Sequence, residues 1–400
     1  MQAPERFSNL PEYAFPRLRA LLDPIPPGPP GANTEPVAMS LGEPRHAPPP
    51  FLGEALAKHL HLYGKYPPND GHRELLEACA AWIGRRYGVA LDPARRIFPL
   101  NGTREGLFAA AVALSPEAKN GERPVILLPN PFYQCYAVAA ITAGAEPYYV
   151  NATAASGHLP DFATLPTEIL NRTTAAYICS PANPQGAVAG PDYWAGLLRL
   201  AERHDFRIFA DECYAEIYRG APPPGILSTA KAAGADPERV LSFHSLSKRS
   251  NLPGMRSGFV AGGVGAIAAL RQLRAYAGAP LPSPAQLAAA EVWNDEEHVE
   301  ASRALYAVKY QMADRILGDL PGYVPLQAGF FLWLAVDDGE AAAVRLWVEA
   351  GVKVLPGGYL SRPGSVDGLD PGAGYIRAAL VDEPGQVERG LTAIREVIGG

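Results

Sequence analysis

The stretch SFHSLSKRSNLPGMRSGF, residues 242–259, joins a predicted core strand to a cluster of hydroxyl and cationic side chains. Its first residues continue the apolar run RVLSFH, which predicts a buried strand. Ser245 and Lys248 follow directly, and Arg256 comes eight residues after the lysine. Most lysines lie on surface loops, but an ammonium in a buried site must be paired, neutralised or covalently linked. The neighbouring hydroxyls and the second cation favour a buried anion site around Lys248.

Short apolar runs alternate with helical stretches on both sides of this segment. The runs are PVILLP, EPYYV, AAYICS, FRIFA, RVLSFH and SGFVAG, and amphipathic helices are predicted at 51–63, 72–88 and 296–320. Continuous apolar runs separated by helices are typical of a parallel sheet that is covered on both faces. The predicted fold class is therefore α/β, with a large, mostly parallel sheet.

The last third of the chain has a different pattern. The helix predicted at 296–320 is followed by GFFLWLAV, GVKVLPGG and GYIRAALV, which together indicate an α+β layer. We predict three parts of the chain. Residues 1–45 form an N-terminal arm and part of a small domain, residues 46–285 form the large domain, and residues 286–400 form the small C-terminal α+β domain.

Polar side chains follow four of the predicted strands. In open α/β sheets, ligands bind outside the carboxyl ends of the strands. One polar residue after a strand is usually a helix cap, but four strands that deliver polar groups to one edge predict a ligand site. The groups are Asn130 with Phe132 and Tyr133, then Asn183, then Asp211 with Tyr214, and finally Ser245 with Lys248.

The run NGTREGLF, residues 101–108, adds a second anion-binding element. The backbone amides of Gly102, Thr103 and Arg104 open an apolar helix, and a helix N-terminus favours an anion. Alone, Thr103 is equally consistent with an ordinary helix cap. Together with Ser245 and Arg256, these amides predict a phosphate site beside Lys248, which is what a Schiff-base lysine serving pyridoxal phosphate requires.

The ring of that cofactor has predicted partners as well. An ionised Asp211 behind a buried strand needs a cation, and a protonated pyridine nitrogen is one, although a helix-capping aspartate is the alternative. Asn183 and Tyr214 are placed to donate hydrogen bonds to the phenolic oxygen. Tyr133 or Phe132 would cover the face of the ring.

These motifs resemble those of the fold-type I pyridoxal-phosphate aminotransferases. The resemblance covers nearly the whole chain and rests on S-x-S-K followed by G-M-R-S-G, on D-x-x-Y after a strand, on PANPQGAV and on L-G-E-P, in the order of the family. FHSLSKRSNLPGMRSGFVAG, LPNPFYQCY, DECYAEIY, VWNDEEHV and EYAFPRLRALL are most similar to the proteobacterial succinyldiaminopimelate aminotransferases. The resemblance implies seven strands in the large sheet, lysine and diaminopimelate biosynthesis, and a glutamate/2-oxoglutarate and N-succinyl-2-amino-6-oxopimelate pair.

The resemblance also assigns roles to individual residues. Lys248 would bind the cofactor covalently and move the substrate proton, Asp211 would hold the pyridine nitrogen, and Arg377 would grip the substrate α-carboxylate bidentately. Gly42 would offer its backbone to the same carboxylate. The remaining cofactor contacts would come from Gly102, Thr103, Arg104, Tyr133, Asn183, Tyr214, Ser245 and Arg256.

Tyr66 matches a tyrosine that such enzymes lend to the phosphate of a neighbouring subunit, so the resemblance implies a homodimer with shared active sites. The sequence departs from the family pattern at two places. Gln185 stands where relatives often have threonine, and a proline-rich insert after Leu22 could alter a lid over the site. The distal carboxylates of the proposed substrate need further cations. Arg17, Arg45 and Arg249 are the candidates by sequence position.

Composition excludes several other classes of protein. The net charge of −6 and the lack of a basic run argue against nucleic acid and membrane surfaces as partners. Four cysteines without metal-ligand spacing indicate a reducing compartment and no metal, and the chain start lacks a signal-peptide core, so we expect a cytoplasmic protein.

Three alternative functions can be compared with the sequence. GGVGAIAAL, residues 262–270, contains G-x-G-x-x-A but lacks the acidic residue that a dinucleotide site wants about twenty positions later. A cofactor-binding regulator would need a DNA-binding module, for which the short N-terminal segment has no room. An aspartate, aromatic or kynurenine aminotransferase or a carbon–sulfur lyase shares the same cofactor chemistry and stays open.

Overall fold

The computed structural model describes residues 4–28 and 35–399. The described strands, β1 to β12 in chain order, are Val37–Ala38, Ile97–Leu100, Val125–Asn130, Glu146–Asn151, Thr173–Cys179, Arg207–Asp211, Val240–Ser245, Gly258–Gly262, Phe331–Ala335, Val352–Lys353, Leu355–Pro356 and Tyr375–Ala379. The described α-helices, α1 to α15, are Ala14–Leu22, Leu52–Ala57, Arg73–Tyr87, Pro93–Arg96, Thr103–Leu114, Gln134–Thr142, Thr167–Arg172, Pro191–His204, Ile226–Ala233, Leu246–Arg249, Val264–Arg274, Ser283–Asn294, Glu297–Leu317, Gly339–Ala350 and Pro384–Gly399. Short 3₁₀ helices lie at Glu5–Phe7, Leu60–Gly64, Ala154–Ser156, Phe162–Thr164, Pro237–Arg239, Pro253–Met255 and Gly357–Tyr359.

A seven-stranded sheet with the order β2-β8-β7-β6-β5-β3-β4 forms the centre of the molecule. The pairs from β7 to β4 are parallel, which confirms the predicted α/β class with a mostly parallel sheet. Strand β8 is the exception, because it runs antiparallel to both β7 and β2. Only the short helix α10 and a 3₁₀ turn separate β7 from β8, and a parallel return needs a crossover of a dozen or more residues, usually helical.

Alternate side chains of the strands pack on opposite faces of this sheet. In β3, Val125 and Leu127 join a core with α3, α8, α9 and α12, whereas Ile126 and Leu128 join a core with α5, α6 and α11. All four side chains are fully buried. This is why the strand is a continuous apolar run in the sequence: both faces of a parallel sheet are covered.

The C-terminal layer is built on a three-stranded antiparallel sheet of order β11-β12-β9. Helices α13 and α15 pack against it, and β1 from the N-terminal part pairs with β10. Helix α12, however, contributes Ala289, Val292 and Trp293 to the core of the large sheet. The predicted boundary at 285–286 therefore falls inside α12, a helix of the large layer, and we propose a boundary after Asn294.

Two predicted elements differ from the structure in detail. The helix predicted at 51–63 is split into α2 and the 3₁₀ turn Leu60–Gly64, while α3 ends at Gly88 as predicted. Of the proline-rich insert, residues 29–34 lie outside the described residues. The preceding part packs against α14 through a hydrogen bond from Trp347 Nε1 to Ile25 O of 2.7 Å. An effect of the insert on a lid stays a prediction.

The glycine-rich stretch at 262–270 forms the predicted strand-to-helix turn. Its helix N-terminus is already satisfied, because the Glu238 carboxylate accepts hydrogen bonds from Gly265 N at 2.8 Å and Ala266 N at 2.9 Å. A nucleotide phosphate would compete with this carboxylate for the same amides. The described helices include none with the length and apolar character needed to cross a bilayer.

Candidate active site

A cavity of about 380 Å³ lies at the carboxyl ends of β3, β5, β6 and β7. The structure brings most of the predicted site residues to its wall, although they come from widely separated parts of the chain. These residues are Gly42, Thr103, Arg104, Phe132, Tyr133, Asn183, Asp211, Tyr214, Ser245, Lys248, Arg256 and Arg377.

Lys248 enters this cavity from the four-residue helix α10. Ser245 caps the helix, because its Oγ accepts a hydrogen bond from Ser247 N at 3.0 Å. Lys248 Nζ donates a hydrogen bond to Gly42 O. Removal of the amine from bulk water lowers the pKa of Lys248 to about 8, and the charge of Arg377 acts in the same direction. A neutral amine is therefore accessible close to neutral pH, as a nucleophile or base requires.

Arg256 lines the cavity, and Gly102 lies next to its guanidinium. Gly102 has a φ of +76° and precedes the first turn of α5. A Cβ on Gly102 would lie 2.3 Å from Arg256 Nη2, so any other residue would displace the guanidinium. Arg256 Nη1 donates to Pro253 O at 2.7 Å. The guanidinium, the backbone amides at the N-terminus of α5 and Ser245 together suit a phosphate dianion.

Asp211 lies at the end of β6 and is only 6% exposed. Its carboxylate accepts hydrogen bonds from Tyr136 OH at 2.7 Å and from Cys213 N at 3.3 Å. Burial raises the pKa of Asp211. Both donors are neutral, and within residues 4–28 and 35–399 no cation comes within ion-pair distance. A buried carboxylate of this kind calls for a cationic ligand.

Arg377 lies on β12, lines the cavity and is 4% exposed. It donates from Nη1 to Asn183 Oδ1 at 3.0 Å and from Nη2 to Ser40 O at 2.8 Å, whereas Nε has no partner among the described groups. Burial lowers the pKa of Arg377 to about 10, so it stays charged at neutral pH. Because Asn183 Oδ1 accepts from Arg377, the amide Nδ2 is left to donate towards the cavity.

The model for aminotransferases of class I and II matches residues 34–387. The chain belongs to this family. The family uses pyridoxal phosphate, which confirms the cofactor predicted from the residues around Lys248.

Relatives of known structure or function resemble this aminotransferase along nearly its whole length. An aminotransferase from Neisseria meningitidis is 36% identical with a TM-score of 0.92, covering 98% of this chain and 99% of that one. The LL-diaminopimelate aminotransferase of Desulforudis audaxviator is 31% identical over 99% of this chain and 97% of its own. A probable N-succinyldiaminopimelate aminotransferase from Thermus thermophilus is 26% identical with a TM-score of 0.82, covering 96% of this chain and 100% of that one.

The residues of this enzyme fit pyridoxal phosphate at both ends. The pocket at Gly102 has no room for a side chain and is lined by Arg256, which suits the phosphate. Asp211 accepts hydrogen bonds from two neutral donors, Tyr136 OH and Cys213 N, and its carboxylate would suit the protonated pyridine nitrogen. Lys248 lies in the same cavity as both groups.

Two of the candidates for the distal carboxylates lie elsewhere in the enzyme. Arg249 is 3% exposed and donates to Val292 O and Asp295 O, both at 2.9 Å, so it is a structural residue. In α10 it follows Lys248 directly and so points away from the cavity, against Trp293. Arg45 is paired with Asp382 and is not among the residues that line the cavity. The prediction for Arg249 is wrong, whereas that for Arg45 stays a prediction.

Several residues of the cavity were not predicted from the sequence. Tyr136 is one helical turn after Tyr133, and its hydroxyl contacts Asp211. Phe331 packs under the Arg377 guanidinium, with the ring centroid 4.1 Å from Cζ. Phe331 also explains why residue 42 is glycine, because a Cβ on Gly42 would lie 2.3 Å from Phe331 Cζ. Tyr13 and Phe15 line the cavity from the N-terminal arm, as do Glu43, Cys179 and Cys213 from other segments.

Proposed function

We propose that this aminotransferase transfers the amino group between glutamate and N-succinyl-2-amino-6-oxopimelate, which gives 2-oxoglutarate and N-succinyl-LL-2,6-diaminopimelate, a reaction of lysine and diaminopimelate biosynthesis. Several relatives are named LL-diaminopimelate aminotransferases, and the Thermus protein is named for the N-succinylated compound. The observation that carries the proposal is Arg377. A buried guanidinium with an unpaired Nε faces the cavity, as the α-carboxylate of an amino acid substrate requires.

Pyridoxal phosphate, when bound, supplies an electron sink for the negative charge that develops at the substrate Cα. Lys248 contributes an amine in this cavity that can take a proton from Cα and return one, because burial lowers its pKa to about 8. The Asp211 carboxylate would hold the pyridine nitrogen. When ionised, it would favour the protonated nitrogen and so strengthen the sink.

Arg377 and Asn183 orient the substrate. Arg377 is fixed by Ser40 O and Asn183 Oδ1, so its guanidinium is held before the substrate arrives. Lys248 Nζ contacts the carbonyl of Gly42 two residues beyond Ser40. One segment thus sets the position of the carboxylate-binding arginine and of the proton-transferring amine relative to each other.

The substrate preference is tested with the purified holoenzyme and a panel of amino donors. We expect kcat/KM for N-succinyl-LL-2,6-diaminopimelate to exceed that for free LL-diaminopimelate, aspartate, phenylalanine and kynurenine, with 2-oxoglutarate as acceptor. A preference for the free diamino acid would place this enzyme with its Desulforudis relative instead. A preference for aromatic amino acids would leave the family intact and contradict the proposed reaction.

We also propose a homodimer in which Tyr66 completes the phosphate site of the partner subunit. Tyr66 is fully exposed in the single chain, and the nearby Leu60 and Tyr63 are 53% and 62% exposed. Large apolar side chains exposed together mark an interface. Tyr66→Phe should weaken pyridoxal-phosphate binding by about 10-fold, the value of a hydrogen bond to a charged group.

Equilibrium dialysis of the cofactor measures this effect, with Tyr63→Phe as the matched control. Mixed dimers of Tyr66→Phe and Lys248→Ala chains contain one site with both native residues, so that site should regain the parental cofactor affinity. A dilute, fully active monomer would contradict the shared site.

A further inference from the structure

A second cavity adjoins the active-site cavity. Its volume is about 280 Å³, and it lies between residues 9–17 of the N-terminal arm and the segment 359–362. Phe132 and Gln134 line both cavities. Leu360 lines the first and Arg362 the second, and two residues span at most about 7 Å of chain. The two cavities are therefore immediate neighbours.

The second cavity carries two arginines against one glutamate among its described lining residues. Arg17 lies over the Tyr359 ring, 3.9 Å from its centroid, and meets Glu12 and Glu340 only at 3.4 Å each. Arg17 is thus matched by two carboxylates, and Arg362 is the cation of this cavity that can attract an anion.

Arg362 has a fixed backbone and an available side chain. Asn130 Oδ1 accepts from Arg362 N at 3.1 Å, and Asn130 Nδ2 donates to Arg362 O at 2.6 Å. Within the part of the chain that the structure describes, the Arg362 guanidinium makes no ion pair or hydrogen bond. A positioned guanidinium beside the active site is suited to a carboxylate.

The cations of the active-site cavity are engaged in other contacts. Arg377 serves the α-carboxylate, Arg256 packs against Gly102, and Arg104 Nε donates to the Tyr133 hydroxyl. A substrate with an additional carboxylate on a long tail needs a cation beyond these three. Arg362 lies two residues after Leu360, which lines the active-site cavity.

We propose that the second cavity is the subsite for the tail carboxylate of an amino acid substrate longer than glutamate, with Arg362 and Arg17 as its specificity-determining residues. The inference rests on the proposed function, since it gives that substrate's anionic tail a binding site. A zwitterionic tail, as in free diaminopimelate, fits less well because its ammonium group would be repelled by Arg362. Arg17 was a candidate from the sequence, whereas Arg362 was not.

Inhibition of the holoenzyme by straight-chain dicarboxylates of increasing length tests the subsite without any assumption about the amino donor. Glutarate, pimelate and azelate are the probes. The parent should bind the longer diacids more tightly than glutarate. Arg362→Gln should raise the inhibition constants of the longer diacids by about 10- to 100-fold and reduce the chain-length preference, as expected for a lost charged hydrogen bond.

Three comparisons separate a subsite from a general defect. Arg362→Lys should retain part of the chain-length preference, because it keeps the charge. Arg377→Lys should weaken all three diacids alike, since each loses the same carboxylate contact. Arg315→Gln, which removes an exposed ion pair with Glu388, should change nothing.

Two outcomes overturn the subsite: unchanged inhibition by the long diacids in both Arg362→Gln and Arg17→Gln, or an equal loss for glutarate and azelate in Arg362→Gln. A chain-length preference that depends on Arg362 in an enzyme that ignores the succinylated substrate supports the subsite and contradicts only the proposed substrate. The two failures are thereby distinguishable.

Discussion

Replacing Lys248 with alanine is expected to lower the rate of amino transfer by more than the roughly 10²–10⁴-fold that a general acid–base group alone supplies. The residue offers both a nucleophile and a proton carrier, and its amine lies in the cavity with a pKa lowered to about 8 by burial. The measurement is a single turnover of the holoenzyme with glutamate, followed by absorbance of the cofactor.

The variant should still fold, because Lys248 contributes one hydrogen bond, to Gly42 O, and no ion pair within the described residues. Cofactor should be retained without a covalent bond, so that borohydride no longer fixes it to the chain. Lys231→Ala is the control, since this exposed lysine donates only to Gly88 O. Normal turnover by Lys248→Ala would remove the basis of the proposed function.

Residues that follow a strand were the part of the site that the sequence predicted best. Asp211, Ser245 and Lys248 come at the carboxyl ends of neighbouring parallel strands, β6 and β7, and such ends meet at one edge of a sheet. Arg377 is different. It is on an antiparallel strand of the other layer, and only the resemblance to a family connected it with the site.

Side chains on helices were harder to predict because their direction depends on the helix orientation. Tyr136 was not predicted as a site residue, although it contacts Asp211. Arg249 was a candidate for the distal carboxylates, although its side chain points into the core. The direction of β8 was equally hidden, since an apolar run has the same pattern in a parallel or an antiparallel pair when both faces are buried. Tyr66 depends on a second subunit, and its role stays a prediction.

Replacing Asp211 with asparagine is expected to have effects of opposite sign on activity and on stability. Turnover should fall by about 10²–10³-fold, the loss typical when one preorganised electrostatic group is removed, because the amide cannot balance a protonated pyridine nitrogen. The cofactor-free chain should become more stable, since an ionised carboxylate with only neutral donors is costly to bury. Stopped-flow kinetics and thermal unfolding measure the two effects.

The pH dependence of that stability gain follows from the pKa of Asp211, which burial raises above the ordinary value of 3.8. Below 3.8 the carboxyl is protonated in both the folded and the unfolded chain, so Asp211→Asn should gain nothing there. As the pH rises above that value, the unfolded carboxyl ionises while the folded one resists, and the parent loses stability relative to the variant. The gain should therefore grow with pH and level off above the folded pKa.

With pyridoxal phosphate bound, the parent should be more stable than Asp211→Asn. The reason is that a cationic ring compensates the buried carboxylate of the parent but gives no such compensation to the amide of the variant. The added stability on cofactor binding should thus be larger for the parent than for Asp211→Asn. Asp192→Asn, an exposed carboxylate in the first turn of α8, is the control and should show neither effect. An Asp211→Asn enzyme that turns over normally, or whose cofactor-free chain is destabilised at neutral pH, would show that Asp211 is stabilised by its own hydrogen bonds and does not require a cation.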